Sequence, residues 1–365
     1  MAKILHLTST LASAGAETMM VSLITTDKNN EHVVCSIYAG GIYQKKLEEI
    51  GIQTRSLNIG HKIFIPFAFV KFFFVVLKEN PQIIHSYLFL DNVIARIIGK
   101  LLLKKVICSK RDSDRQKPWF VHFLNRLTGW LANITVTNFT DGIEELKYDG
   151  ISERKIKYIA NGKKIENYEI TKKKEEVRKE LGFNPNQIII TFTGRLVWYK
   201  GQEYLIKAFE LVHTQYPHTL LILVGSGNKE KELKKLVQTL HLENAVRFLG
   251  ARNDISLILK ATDIFVSPSL RDGMPGVIME AMASGLPVIA TNADGSKDLI
   301  KDNVNGLLVP VKNSSLITQK IIDLIKDKKK TRELGENAKK TIAQEFTVEE
   351  MVEKYTNLYT VLIGK

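Results

Sequence analysis

The sequence predicts an α/β protein made of two doubly wound domains in tandem, with a ligand cleft between them. Three observations predict it. Strand-like and helix-like runs alternate along most of the 365 residues, the rhythm of parallel sheets covered by helices. The alternation stops at a polar, Lys/Glu-rich stretch, Asn161–Glu180, opened by the turn signal Asn161-Gly162, and then restarts. The length suits two domains of ordinary size. We therefore divide the chain into residues 1–165, residues 166–345 and a closing helix, 346–365, that packs back on the first domain. In such folds ligands bind at the carboxyl ends of the strands.

Taken in order, Lys3–Thr8 is a short apolar strand followed by a small-residue turn, and Glu17–Thr26 reads as helix. His32–Tyr38 is β-rich, and Tyr43–Gly51 is a helix ended by glycine. Gln82–His85, Lys105–Ser109 and Ile134–Thr137 are strands, with the helix Asp91–Leu103 between the first two. The second series has strands at Ile188–Thr193, Thr219–Val224, Val246–Leu249, Ile264–Val266, Val288–Ala290 and Gly306–Val309. Its helices are Gly201–His213, Lys229–Leu240, Ile255–Ala261 and Gly276–Ser284, and Thr347–Ile363 is the closing helix. Ile63–Leu77 is apolar but too short for a membrane span, and it holds Pro66 and Lys71. It reads as a core helix, one face of which can also touch a membrane surface.

The composition, 44% hydrophobic and 25% charged, is that of a globular protein. Cys35 and Cys108 lie in apolar runs and read as buried small hydrophobes, which excludes a disulfide framework. No Cys/His spacing fits zinc, and no cofactor is expected. Met1-Ala-Lys-Ile-Leu-His-Leu runs straight into the first strand rather than a secretory leader, so a cytoplasmic location is expected. The net charge of +13 is uneven: residues 1–165 hold 23 Lys and Arg against 14 Asp and Glu. A basic first half suits an anionic partner, an anionic membrane surface among them. No nucleic-acid motif accompanies it, so nucleic acid is not expected as a partner.

Five runs carry candidate chemistry. Ser267-Pro-Ser-Leu-Arg-Asp272-Gly-Met-Pro-Gly276-Val-Ile-Met-Glu280 joins a strand end, a glycine turn and a helix. It sets backbone N–H groups, suited to phosphate, beside two carboxylates, suited to sugar hydroxyls. Thr193-Gly194-Arg195-Leu-Val-Trp-Tyr-Lys200 puts two cations where a diphosphate could be neutralised. Val224-Gly225-Ser-Gly227 and Gly250-Ala-Arg252 are further turns at strand ends, and a plain connecting turn explains either one equally well. Ser13-Ala-Gly15-Ala-Glu17-Thr18 opens a helix after the first strand.

In this order the motifs resemble the retaining glycosyltransferases of family 4, which have the two-domain, Rossmann-like GT-B fold. The signature of two acids separated by seven residues stands here as Asp272 and Glu280, followed by Ala-Met-Ala-Ser-Gly-Leu-Pro-Val-Ile-Ala-Thr291. Near the start, Ala14-Gly15-Ala-Glu17 stands where Gly-Gly-Ala-Glu is usual. The resemblance implies transfer of a sugar, with retention and without metal, from a nucleotide diphosphate sugar to a glycan or lipid-linked acceptor. It assigns Arg195 and Lys200 to the diphosphate, Glu280 to the ribose and Asp272 to the donor sugar. Gly273, Met274, Pro275, Gly276 and Val277 give main-chain help, and Gly15, Gly194, Gly225, Gly227 and Arg252 complete the donor side. Gly15, His85, Arg111, Asp112 and Asn138 are assigned to the acceptor side.

Two departures stand out. Asp272 replaces the usual Glu, and the usual His near the strand end at Val106–Ser109 is absent from Ser109-Lys-Arg111-Asp112-Ser-Asp114. Arg111, Asp112 or His85 is then the polar group nearest its place. Two other readings remain open at this level. A sugar-nucleotide epimerase would consume donor without acceptor, and a non-catalytic nucleotide- or glycan-binding subunit would bind without turnover.

Overall fold

A computed structural model describes the chain except residues 13–14, 61–64, 114–116 and 365. Parts of the expected Ser13–Gly15 loop, the start of the apolar Ile63–Leu77 run and Asp114 lie outside the described residues. The chain forms two compact units, Met1–Gly162 with Val348–Lys365, and Lys163–Thr347.

The first unit has a seven-stranded sheet in the order β3-β2-β1-β4-β5-β6-β7. Its strands and helices are β1 (Lys3–Thr8), α1 (Gly15–Thr26), β2 (Glu31–Ser36), α2 (Ile42–Glu49), β3 (Gln53–Ser56) and α3 (Ile65–Glu79). They continue as β4 (Ile83–Ser86), α4 (Phe89–Leu101), β5 (Lys105–Lys110), α5 (Trp119–Thr128), β6 (Ile134–Thr137), α6 (Asp141–Tyr148) and β7 (Ile156–Tyr158). Every pairing is parallel. Right-handed crossovers then put α1 and α2 on one face and α3 to α6 on the other. Two apolar clusters match these faces. One holds Met20, Leu23 and Leu47 with Val348, Met351 and Tyr355, and the other holds Phe72 and Val76 with Ile94 and Ile98.

The second unit has a six-stranded sheet in the order β10-β9-β8-β11-β12-β13. It runs α7 (Lys174–Glu180), β8 (Ile188–Thr193), α8 (Gln202–Gln215), β9 (Thr219–Val224), α9 (Glu230–Thr239) and β10 (Val246–Gly250). Then come α10 (Ile255–Ala261), β11 (Ile264–Ser267), α11 (Gly276–Ala283), β12 (Val288–Thr291), α12 (Ser296–Leu299) and β13 (Leu307–Val309). Helices α13 (Ser314–Lys326) and α14 (Lys328–Glu345) close the unit, and α15 (Val348–Leu362) belongs to the first. The Asn313 carboxamide caps α13 by accepting the Leu316 N–H at 2.9 Å, and Asp327 caps α14 through the Lys330 N–H at 2.9 Å. Strand β9, Thr-Leu-Leu-Ile-Leu-Val, is buried throughout, as a central parallel strand covered on both faces must be.

In each sheet the strand order reverses once, between β1 and β4 and between β8 and β11. Ligands of open α/β sheets bind at such reversals. Strands β3 and β7 are two elements the pattern did not reveal. Gln-Thr-Arg-Ser and Ile-Lys-Tyr are short and polar because they lie at the sheet edges, where one side faces solvent.

Candidate active site

The reversal in the second unit brings together the loops after β8, β9, β10 and β11. Main-chain bonds lace the first three: Gly194 N–H donates to Val224 O at 2.9 Å, Gly225 N–H to Gly250 O at 2.7 Å and Leu196 N–H to Ser226 O at 2.9 Å. The approach leaves no room for side chains. A Cβ on Gly225 would lie 1.9 Å from Gly194 O, and one on Gly227 would lie 2.2 Å from Leu196 O. Gly201, at φ +66°, presses on Pro268 in the same way, while Leu270 N–H donates to Tyr199 O at 2.7 Å.

This packing holds three cations around the Tyr199 ring. Arg195 donates to the Tyr199 hydroxyl and lies 5.8 Å from the ring centre, Lys200 lies at 5.9 Å and Arg271 at 5.0 Å. Arg271 also lies 5.5 Å from Trp198, and its Nε is buried with no hydrogen-bond partner among the described residues. Asp272 accepts from the Lys200 ammonium. Three cations gathered from the loops after β8 and β11 can neutralise an anion, although Lys200 is already paired with Asp272. Arg271 was not singled out by sequence reasoning. Its one signal was its place beside Asp272.

The loop from Asp272 to α11 is pinned from the other side. Asp272 N–H donates to Asp294 Oδ2 at 3.2 Å and Gly295 N–H to Asp272 O at 3.2 Å, while a Cβ on Gly295 would lie 1.8 Å from Gly273 O. Gly273, Met274 and Pro275 are buried, and Gly276 and Val277, in the first turn of α11, stay partly exposed. The first N–H groups of a helix lack acceptors within it, so this turn can receive an anion. Glu280 lies one turn on and accepts from Lys163 Nζ at 2.5 Å. Burial pulls the Lys163 ammonium down, but Glu280 and Tyr168 outweigh it and hold its pKa above the usual lysine value. Burial and Glu280, against Lys163, push the Tyr168 phenol up to about 12. Lys163 and Tyr168 interact with Glu280, and sequence reasoning singled out neither. Arg252 makes a two-pronged pair with Asp254 at 2.8 and 2.6 Å, so its guanidinium is already engaged.

In the first unit, Gly15 opens α1, and nothing lies within 4 Å of the Cβ it lacks. Arg111 donates to Asn161 Oδ1 at 2.9 Å, to Ser109 Oγ at 3.3 Å and to the Tyr355 hydroxyl of α15. Asp112 faces Lys117 at 3.8 Å. Arg111, Asp112 and Lys117 line a pocket with Arg96, Asn92 and Asn125. Asn138 is buried, and its Oδ1 has no partner among the described residues.

His85 has no exposed surface, so it does not offer the direct acceptor contact expected of it. It belongs instead to a buried chain of hydrogen bonds. His85 Nε2 meets Ser109 Oγ at 2.9 Å, and its Nδ1 meets the Tyr359 hydroxyl at 2.8 Å and that of Tyr87 at 3.2 Å. Tyr87 meets His6 Nδ1 at 2.7 Å, and His6 Nε2 meets His32 Nδ1 at 2.9 Å. His32 Nε2 lies 3.3 Å from Asp27 Oδ2. One set of proton positions fits the chain as far as His32: Arg111 donates to Ser109, Ser109 to His85, His85 through Tyr87 to His6, and His6 to His32. His6 and His85 are then neutral. Burial holds His6 and His85 well below the usual histidine pKa, joined by the neighbouring imidazoles for His6 and chiefly by the Arg111 guanidinium for His85.

Residues 173–341 match the family described as glycosyl transferases group 1. The chain is 29% identical over 297 residues to a UDP-Gal:alpha-D-GlcNAc-diphosphoundecaprenol alpha-1,3-galactosyltransferase of Escherichia coli, covering 77% of this chain and 76% of that one. It is 26% identical over 371 residues to an N,N'-diacetylbacillosaminyl-diphospho-undecaprenol alpha-1,3-N-acetylgalactosaminyltransferase of Campylobacter jejuni, covering 96% and 97%. The Anabaena Alr3699/HepE structure in complex with UDP-glucose superposes with a TM-score of 0.87 at 25% identity, covering 99% of this chain and all of that one. Over residues 173–341 the chain is similar to the group 1 glycosyltransferases, and as a whole it has the GT-B fold.

Proposed function

We propose that this chain is a retaining transferase that moves a hexosyl or N-acetylhexosaminyl group from a nucleotide diphosphate sugar, a UDP-sugar in preference to a GDP-sugar. The acceptor is a glycan carried on a polyprenyl diphosphate, and the setting is surface-polysaccharide assembly at the inner face of a membrane. The observation that carries the reading is the set of three cations, Arg195, Lys200 and Arg271, around Tyr199 beside Asp272 and the start of α11. The named activities of the two relatives and the UDP-glucose complex support the choice of donor and acceptor.

Each residue then has a task. The three cations stabilise charge on the leaving diphosphate, with Gly194, Gly225 and Gly227 letting main chain approach it. Asp272 accepts from donor-sugar hydroxyls, and the turn from Gly273 to Val277 supplies N–H donors. Glu280 accepts from the ribose, its carboxylate steered by Lys163. On the acceptor side, Arg111, Asp112, Asn138 and Gly15 bind, and His85 orients Arg111 through Ser109. The bond from the anomeric carbon to the β-phosphate oxygen breaks with its electron pair going to the diphosphate. The acceptor oxygen bonds to the same face, and its proton passes to a leaving-phosphate oxygen.

The test is transfer from radiolabelled UDP-sugars to an undecaprenyl-diphosphate-linked sugar. Labelled lipid product in the wild type, lost in Arg195→Ala with the fold retained, supports the reading. Unchanged turnover in Arg195→Ala overturns it, and donor consumption without lipid product replaces transfer by epimerisation or hydrolysis.

A further inference from the structure

Helix α5 is built inside out. Its buried side is mostly polar: beside Val121, Asn125 accepts from buried Arg96 of α4 at 3.1 Å and donates to Asp149 at 2.8 Å, and Thr128 lies 3.4 Å from the same arginine. Its solvent side is apolar and aromatic. Trp119 is 77% exposed, Phe123 55% and Leu127 57%, with Trp130 just beyond at 62%. Helix α3 repeats the pattern on the other flank of α4. Phe67, Val70, Phe74 and Leu77 form an exposed stripe at helical spacing, opposite the buried stripe of Ala68, Phe72 and Val76. Both helices pack on α4, which is sunk between them and ends in exposed Leu101, with Leu103 exposed just beyond it. Folding normally turns such side chains inward, and a contiguous apolar patch on a soluble surface marks an interaction site.

Charge identifies the partner. Residues 61–130, which hold all three elements, carry twelve Lys and Arg against four Asp and Glu, most of the chain's net +13. Lys71, Lys78, Lys100, Lys105 and Arg126 are exposed. A second copy would set this positive charge against itself. An anionic lipid surface complements it, and aromatic residues at an interface with lysine and arginine around them are the mark of an interfacial helix. Among the described residues no helix is long and apolar enough to cross a membrane.

We propose that the outer faces of α3 and α5, with the end of α4, dock on the headgroup region of an anionic bilayer. The same α5 lines, through Asn125, the pocket that holds Arg111 and Lys117. Docking therefore sets the acceptor side of the site next to the lipid surface. The inference rests on the proposed lipid-linked acceptor, and its test fails separately from that reading.

The test is co-sedimentation of the full chain with phosphatidylethanolamine vesicles with and without phosphatidylglycerol, at low and high salt. Binding is expected to require phosphatidylglycerol, to weaken with salt and to fall by roughly tenfold or more in Trp119→Ser/Phe123→Ser. Brominated lipids should quench tryptophan emission of the wild type, a reading that needs no variant. The double variant should turn over a short, water-soluble acceptor at the wild-type rate. Absence of wild-type binding, a fully folded variant that binds as tightly as wild type, or a wild-type dimer that the variant dissolves would each overturn the proposal. Vesicle binding without any glycosyl transfer would instead remove the proposed function and leave the docking face standing.

Discussion

Lys163 sets its ammonium 2.5 Å from Glu280, across 117 residues of sequence, and both side chains are largely buried. Lys163 Nζ also lies 3.6 Å from where a Cβ on Gly276 would stand, beside the first turn of α11. The pair therefore ties the segment that opens the second unit to the signature helix. Removing one partner leaves a charge in a poorly solvated place. Lys163→Met is expected to lower unfolding free energy by about 1–3 kcal/mol, read by urea denaturation. It should also raise the KM for donor, because Glu280 loses its fixed position. A variant with unchanged stability and unchanged donor KM would assign the pair no role.

The cation set around Tyr199 predicts a graded loss of nucleotide binding. A hydrogen bond to a charged group contributes about 1.5–3 kcal/mol, so Arg271→Ala should weaken UDP binding by roughly 10- to 100-fold. Arg271→Lys should recover part of it, since the point charge remains and the planar fork is lost. Calorimetric titration with UDP checks this. Equal affinity in wild type and Arg271→Ala would leave Arg195 and Lys200 as the whole anion site.

How much of this was legible beforehand depends on distance along the chain. Asp272 and Glu280 were visible because strand end, glycine turn and helix follow within one run, and Gly194, Arg195 and Lys200 were visible for the same reason. Lys163 was not, because its partner is far away in sequence and its own neighbourhood is a polar linker. The doubly wound fold was legible from apolar strands such as Leu220–Val224, whereas β3 and β7 were hidden by their edge positions. The buried hydrogen-bond chain from Arg111 to His32 was illegible for a different reason. His6, His32 and His85 each sit singly in an apolar strand, and only the register of the sheet, which pairs His6 with His85 and Ile4 with His32, brings them together.

The neutral histidines predict the acid limb of stability. The pKa values of His6 and His85 are depressed in the folded chain, so below about pH 6.5 the unfolded chain binds protons that the folded chain does not. Stability is fully present above that pH and falls as pH drops, by about 1.4 kcal/mol per pH unit for each histidine. His85→Asn should flatten this limb in urea denaturation followed from pH 7 to 5. It should also raise acceptor KM with little change in donor KM, because Arg111 loses the Ser109 link behind it. An unchanged acid limb would mean that His85 is already charged in the folded chain.

Asp91 works in the opposite direction. It lies at the strand reversal of the first unit, where its carboxylate accepts from Ser9 Oγ at 2.6 Å, Ser9 N–H at 3.0 Å and Leu88 N–H at 3.1 Å. Burial, reinforced by Glu17 and opposed by those hydrogen bonds, pushes its pKa up from 3.8 to about 7. Between these values the folded chain binds a proton that the unfolded chain does not, so this group favours folding increasingly as pH falls from 7 towards 4. The two effects overlap, and a single stability profile would show only their difference. Asp91→Asn separates them, since an amide cannot titrate. Subtracting its denaturation free energies from those of the wild type should give a difference that grows in favour of wild type as pH falls through that window. A difference independent of pH would place the folded carboxyl back in the ordinary range, held there by its three donors. Because Ser9 follows β1 directly and precedes the loop into α1, the same titration should be felt at Gly15, and acceptor KM in the wild type should change near pH 7 while that of Asp91→Asn stays level.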